Sequence, residues 1–337
     1  MKIFIVQLIL LIIQLGLNHS LCAQNKKTIG FLMDDFNSSR WKHDSAIFAK
    51  KVRASGDEIM IRVCDSDTSL QRKQANELIN AKVDVIVLVP ADAMAAKIIV
   101  DNANSNNIPI IAYDRLILNC NLDYFISFDG EKVGELQAEY ILKKINYSGK
   151  IMLMNGPEND VNSLLFRKGQ MKILQPYIDK GTIKVVYDRY LSEWTSMEAY
   201  MEGNDFFAKY NGPIDGIIAA NDELAQGIIE ALTVFRASEK IPVTGQDATI
   251  SAYYNILDNL QGMTVYKPID SIASQAAELA HQIARKEKVK AKQFLVFNGY
   301  KNIPFIKLQP IAITKENIRS LLVESNYLSE EYLKNKR

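Results

Sequence analysis

The stretch TIGFLMDDFNSSRWKHDSAIFAKKVRASG (Thr28–Gly56) carries the fold in miniature. Thr28–Met33 is a short apolar run without strict alternation, the pattern of a strand covered on both faces. Asp34 and Asp35 come next. Arg40 and Trp41 then open an amphipathic stretch, Trp41–Ala54, and Gly56 supplies its stop signal. Strand, polar turn, helix and glycine make the first half of a right-handed βαβ unit.

The same unit recurs along the chain. Further apolar runs are Val83–Val89, Pro109–Tyr113, Tyr124–Phe128, Lys150–Met154, Ile183–Tyr187, Gly216–Ala220, Ile241–Thr244 and Met263–Tyr266. Amphipathic stretches such as Leu70–Ala81, Lys132–Lys144 and Glu223–Phe235 lie between them. This alternation predicts an α/β protein with mostly parallel sheets. Nine or ten strands in 337 residues exceed one such sheet, so two doubly wound parallel-sheet lobes fit best.

The residues just after each run are informative, because ligands of open parallel sheets bind outside the carboxyl ends of the strands. Asp34-Asp35, Asp114-Arg115, Asp129, Asn155, Asn221-Asp222, Gln246-Asp247 and Lys267 all occupy such positions, and Asp160 and Asn162 sit in the loop after Asn155. An Asp or Asn there is often the N-cap of the next helix, and Asp129 and Asp222 suit that role. Caps do not require Arg40, Arg115 or Lys267, nor Trp41 beside Arg40. Three cations against Asp160, Asp222 and Asp247 make a self-neutralising set, suited to an uncharged polyhydroxy ligand. Trp41 and Trp194, the two tryptophans, stand where a ring could cover the C–H face of a sugar.

Composition narrows the classes further. Forty Lys plus Arg against 39 Asp plus Glu exclude a globally basic nucleic-acid binder, although a local basic patch escapes such a count. No phosphate loop, dinucleotide fingerprint or nucleophile elbow is present, which points away from an enzyme. The scattered histidines (His19, His43, His281) and cysteines (Cys22, Cys64, Cys120) have no metal-site spacing, so neither a metal nor another cofactor is expected. At the N-terminus, Lys2 precedes the apolar run Ile3–Leu17, and Leu21-Cys22-Ala23 lie beyond it. Residues 1–23 are therefore read as a secretory signal or a short anchor, placing the protein in the periplasm or otherwise outside the cytoplasm.

As a set, certain segments resemble a known family. They are Asp34-Asp35 with Arg40-Trp41, AYDR (Ala112–Arg115), ISFDGEKVGELQA (Ile126–Ala138), LFRKGQMK (Leu165–Lys172), AND (Ala220–Asp222), GQDA (Gly245–Ala248) and MTVYKPI (Met263–Ile269). From about Lys27 to Leu322 the chain is similar to the D-xylose-binding proteins of sugar ABC transporters, within the ribose/galactose-type periplasmic binding proteins. The resemblance implies a pocket for D-xylose or a related pentose built from Arg40, Trp41, Arg115, Asp160, Asn162, Trp194, Asn221, Asp222, Asp247 and Lys267. It also implies three chain crossings between the lobes, near Gly130, near Pro268 and around Asn298–Pro304. The first lobe is then 27–130 plus 268–300, the second 131–267 plus 301–325, and 326–337 a charged tail.

The implied partner is an ABC permease; the alternative is a sensor-kinase ectodomain reading the closed form. Membrane contact is expected only through the N-terminal segment, if it stays attached. Two departures from the family pattern border the pocket. Val161 stands where the pattern has a polar residue, and Ser192-Glu193 precede Trp194 where the pattern is Asp-Gly.

Overall fold

All nine apolar runs fold as strands in the computed structural model, which describes residues 26–36, 39–235 and 241–323. The expected secretory segment and charged tail lie outside the described residues. The first part of the chain runs β1 (Thr28–Met33), α1 (Ser39–Ala54), β2 (Glu58–Val63), α2 (Thr68–Asn80), β3 (Val85–Leu88), α3 (Lys97–Ser105), β4 (Ile110–Tyr113) and β5 (Tyr124–Phe128). It continues with α4 (Gly130–Lys144), β6 (Gly149–Asn155), α5 (Val161–Asp179), β7 (Ile183–Tyr190), α6 (Ser196–Lys209), β8 (Gly216–Ala219), α7 (Asp222–Val234), β9 (Val243–Thr244), α8 (Ile250–Leu257) and β10 (Met263–Tyr266). The last part is α9 (Ile269–Ala284), β11 (Phe294–Phe297), β12 (Asn302–Leu308) and β13 (Ile311–Thr314).

Two sheets result, one per lobe. The first has the order β11-β12-β5-β4-β3-β1-β2 and the second β13-β10-β9-β8-β6-β7, parallel except at β11 and β13. In the first lobe, α1 and α9 cover one face through Phe48, Ile272 and Ala276, packed on Phe31 and Val87. Helices α2 and α3 cover the other face through Leu78 and Ile99, packed on Leu32 and Leu88. In the second lobe, α4 and α5 pack backbone to backbone at Gly134 and Gly169. A Cβ on Gly134 would collide with the Phe166 carbonyl, and one on Gly169 with the Glu131 carbonyl. Only glycine permits that approach.

Four strands are not legible as apolar runs. β2 (EIMIRV) is an outer strand with half-exposed side chains, and β11, β12 and β13 join the sheets near or at their edges. Such strands carry mixed polarity because one face or edge meets water.

The chain passes from the first sheet to the second after β5, at Asp129–Gly130, and back after β10, at Lys267–Pro268. The third crossing differs from the expected one. β12 pairs with β5 in the first sheet, so residues 302–308 belong to the first lobe and the crossing falls at Gln309–Pro310. The boundary expected at residue 301 is therefore corrected by several residues. The physical reason is β12 itself, whose Ile303 and Phe305 join the core of the first lobe. At the hinge, the Asp129 amide donates to the Leu308 carbonyl at 2.8 Å and Lys307 Nζ to Asp129 Oδ2 at 2.7 Å, tying the first and third crossings together.

Candidate ligand-binding site

The carboxyl ends of both sheets face one another across a cavity of about 640 Å³. Nine of the ten residues singled out in the sequence line it: Arg40, Trp41, Arg115, Asp160, Asn162, Trp194, Asn221, Asp247 and Lys267. Asp222 does not. Its buried carboxylate accepts bonds from the Thr249 amide (2.9 Å), Thr264 Oγ1 (3.0 Å) and Gln261 Nε2 (2.8 Å), and so braces the loop that carries Asp247. Asn221, not Asp222, caps α7, accepting from the Leu224 amide at 2.9 Å.

The first-lobe wall is a lattice of ion pairs. Arg40 Nη2 donates to Asp114 Oδ1 at 2.5 Å, and Arg40 Nε lies 3.6 Å from Asp44 Oδ2, a residue one turn on in α1. Asp44 in turn accepts from the Tyr113 hydroxyl. Arg115 Nη1 donates to Asp34 Oδ2 at 2.6 Å and to the Pro90 carbonyl at 3.2 Å. Trp41 lies beneath both guanidinium groups, 4.5 Å from Arg40 Cζ and 5.7 Å from that of Arg115. Its ring also belongs to the core of the lobe, so the core and crevice readings of this tryptophan both hold.

The second-lobe wall hangs on helix starts. Asp160 Oδ1 caps α5 by accepting from the Asn162 amide at 2.9 Å, while Oδ2 accepts from Trp194 Nε1 at 3.2 Å. The Trp194 ring packs where a side chain on Gly156 would have to be. Ser192 and Glu193 donate to the Glu198 carboxylate in the first turn of α6, which fixes the loop presenting Trp194. Lys267 Nζ lies 3.0 Å from Asp247 Oδ1 and 5.9 Å from the Phe166 ring.

Direct contacts span the cleft. Arg115 Nε is 3.6 Å from Asp160 Oδ2, and Asn162 Nδ2 donates to Asp114 Oδ2 at 3.4 Å. Val161 packs against the apolar cluster of the first lobe, which explains an apolar residue at that position. Asp114 and Asp247 both have left-handed backbone, at φ 64° and 95°. Neither is glycine, so each turn stores strain that surrounding bonds must hold. The Asp114 amide donates to the Ile126 carbonyl and the Asp247 amide to that of Val265, both at 2.9 Å.

Burial raises all three of these carboxylates, and their charged neighbours decide the net direction. Burial alone would raise Asp114, but Arg40 and Lys267 outweigh it and hold the carboxyl at about 2. For Asp44 burial prevails over Arg40, pushing it up to about 6. Burial raises Asp222 to about 7 despite its hydrogen bonds, with Asp247 adding repulsion.

Sequence reasoning leaves several lining residues out of the pocket. Asp34, Asp35, Asp114 and Gln246 obey the same strand-end rule and could have been included. Phe166 and Thr249 lie in or next to helices without a distinguishing signal. Glu193 and Glu223 also line the cavity, so its carboxylates outnumber its three cations, and the self-neutralising count of three against three is corrected. Among the described residues no His/Cys/Asp/Glu group forms a metal cluster.

Comparison with known proteins decides the family. The chain matches the periplasmic binding protein domain over residues 29–288. It belongs to the periplasmic binding proteins. The family binds solutes and is not one of enzymes. The chain is 38% identical to the D-xylose-binding periplasmic protein of Haemophilus influenzae over 90% of this chain and 91% of the relative. Identity with the D-xylose-binding periplasmic protein of Escherichia coli is 37%, covering 90% and 92%. The fold matches an ABC transporter solute-binding protein of Clostridium phytofermentans solved with β-D-glucose, at a TM-score of 0.86 and 27% identity, covering 91% of this chain and all of the other. No described helix of this periplasmic binding protein is long and apolar enough to cross a membrane.

Proposed function

We propose that this protein binds a monosaccharide, D-xylose, in the interlobe cleft, closes its lobes around the sugar, and delivers it to an ABC transporter. The observation that carries the reading is the wall chemistry. Two tryptophan rings and a dense set of paired charges meet in one interlobe cavity, in a chain 38% identical to a D-xylose-binding protein. An excess of carboxylates disfavours an anionic ligand, whereas sugar hydroxyls donate to carboxylates and accept from Arg, Lys and Asn. The buried Gln246 Oε1 lacks a hydrogen-bond partner among the described residues, and a ligand hydroxyl would satisfy it. In this reading Trp41 and Trp194 bracket the ring. Arg40, Arg115, Asp160, Asn162, Asn221, Asp247 and Lys267 engage the hydroxyls. Asp222 positions Asp247.

Titration of intrinsic tryptophan fluorescence with D-xylose, L-arabinose, D-ribose and D-glucose tests this. A saturable response is expected with xylose first. At 100 times its dissociation constant, the sugar should stabilise the fold by about 2.7 kcal/mol. Silence toward all four sugars, from protein that melts cooperatively, would leave the fold without this ligand. The partner is a separate question, answered by whether the loaded protein stimulates a cognate permease or binds a sensor-kinase ectodomain.

A further inference from the structure

Gly156 directly follows β6, is buried, and precedes Pro157. A residue before proline is steered to extended backbone, which any amino acid adopts, and Gly156 is not among the left-handed glycines. Glycine at such a position costs stability relative to alanine, because it gives up more chain freedom on folding. The backbone therefore supplies no reason for a glycine here.

The neighbouring ring supplies one. A Cβ on Gly156 would overlap Trp194 Cη2, Cζ2 and Cζ3, nearly equidistant from all three. Similar distances to three successive ring atoms put that Cβ over the face of the six-membered ring. An approach along its edge would leave the outer two atoms much farther away than the middle one. Carbon atoms in contact stand about 3.5–4.0 Å apart, so a side chain at 156 would displace the ring by more than about 1 Å.

The other restraints on Trp194 hold its plane in register with the cleft. Nε1 donates to Asp160 Oδ2, the same oxygen that lies 3.6 Å from Arg115 Nε of the opposite lobe. The Phe166 ring meets the indole edge to face, with centroids 6.4 Å apart. Thr195 caps α6 by accepting from the Glu198 amide. In a standard capping box the Glu carboxylate would return to the amide of the cap residue itself. Here Glu198 reaches past it, to the amides of Ser192 and Glu193 at 2.8 Å each. The helix start thus serves the loop that carries Trp194.

We propose that Gly156 is the positioning residue for Trp194. Its missing side chain seats one face of the indole on the second-lobe wall and leaves the opposite face to the sugar, so residue 156 sets the width of the cleft at the ligand. This rests on the sugar-binding reading, which assigns the free face of the ring to the ligand.

Calorimetric titration of Gly156→Ala, Trp194→Phe and the double variant with D-xylose tests this. Gly156→Ala should weaken binding about tenfold, the worth of one well-placed aromatic face. A phenylalanine ring ends short of the atoms that lie over Gly156, so the same alanine should change the affinity of Trp194→Phe by less than about twofold. A merely structural role would give equal losses in both backgrounds. Acrylamide quenching of the ligand-free protein reads the ring directly, because Trp41 is only 4% exposed. Gly156→Ala should raise it. Should Gly156→Ala fail to fold while the double variant folds, the ring is again what demands glycine. Unchanged xylose affinity in Gly156→Ala, equal losses in both backgrounds, or unchanged quenching overturns the proposal. A parent that binds no sugar defeats the sugar-binding reading instead, and quenching then still decides whether residue 156 places the ring.

Discussion

The two walls of the cleft reach the same polar surface by different means. In the first lobe, side chains hold one another: Arg40 with Asp114 and Asp44, and Arg115 with Asp34. In the second, Asp160 and Asn221 are borrowed from the starts of α5 and α7, beside the single pair Lys267–Asp247. A lattice of buried charges is rigid but brittle, since removing one member strands its partner in a poorly solvating site. Caps are cheaper to lose, because water or a neighbouring group can replace one hydrogen bond at a helix end.

Substitutions separate the walls. Arg40→Ala strands Asp114 and Asp44 together and should cost about 3–5 kcal/mol of unfolding free energy, measured by denaturant titration. A loss under 1 kcal/mol would mean that the lattice is not structural. Arg115→Ala and Asp247→Ala should each weaken sugar binding by about 2–5 kcal/mol, well over tenfold, by calorimetric titration. An unchanged affinity removes that residue from the site.

Asp114 and Asp222 should also answer pH in opposite senses. Asp114, held at about 2, contributes stability that is complete above 3.8 and lost as pH falls toward 2, about 2 kcal/mol in all. Asp222 at about 7 takes up a proton in the folded state first, so its contribution grows as pH falls from 7 to 3.8. Asp44 in the first lobe has the same sense below about 6. Thermal melts should therefore show Asp222→Asn flattening the limb between pH 7 and 4 while leaving acid unfolding below pH 4 in place. A variant whose limb keeps its parental slope would contradict this. The smallest effects belong to the caps. Asn221→Ala should cost about 0.5–2 kcal/mol of stability, and Asn221→Ser should restore most of it without restoring affinity.

Much of this architecture is legible in the chain. Strands covered on both faces announce themselves as apolar runs, so β1, β5 and β10 appear in the sequence with the bounds the structure gives. Most of the polar cavity lining obeys a single rule, polar residues after strands, because topology gathers those ends. That rule cannot weigh direction. Asp222 and Asn221 are neighbours after one strand, yet one turns inward to Thr249 and Thr264 while the other faces the cleft. β12 escapes the pattern for a related reason. Its boundary lies in NIPFIKL, where a proline and a lysine blur the periodicity although Ile303, Phe305 and Ile306 are core.

The late crossing at Gln309–Pro310 has a consequence for biogenesis. The first sheet waits for β12 and the second for β13, so the first lobe cannot be completed until synthesis has passed residue 308, nor the second until it has passed residue 314. Ordinary domains fold in turn as they emerge from the ribosome. Here each lobe draws its last strand from beyond the third crossing or just before it, so the two sheets close late and nearly together rather than one after the other.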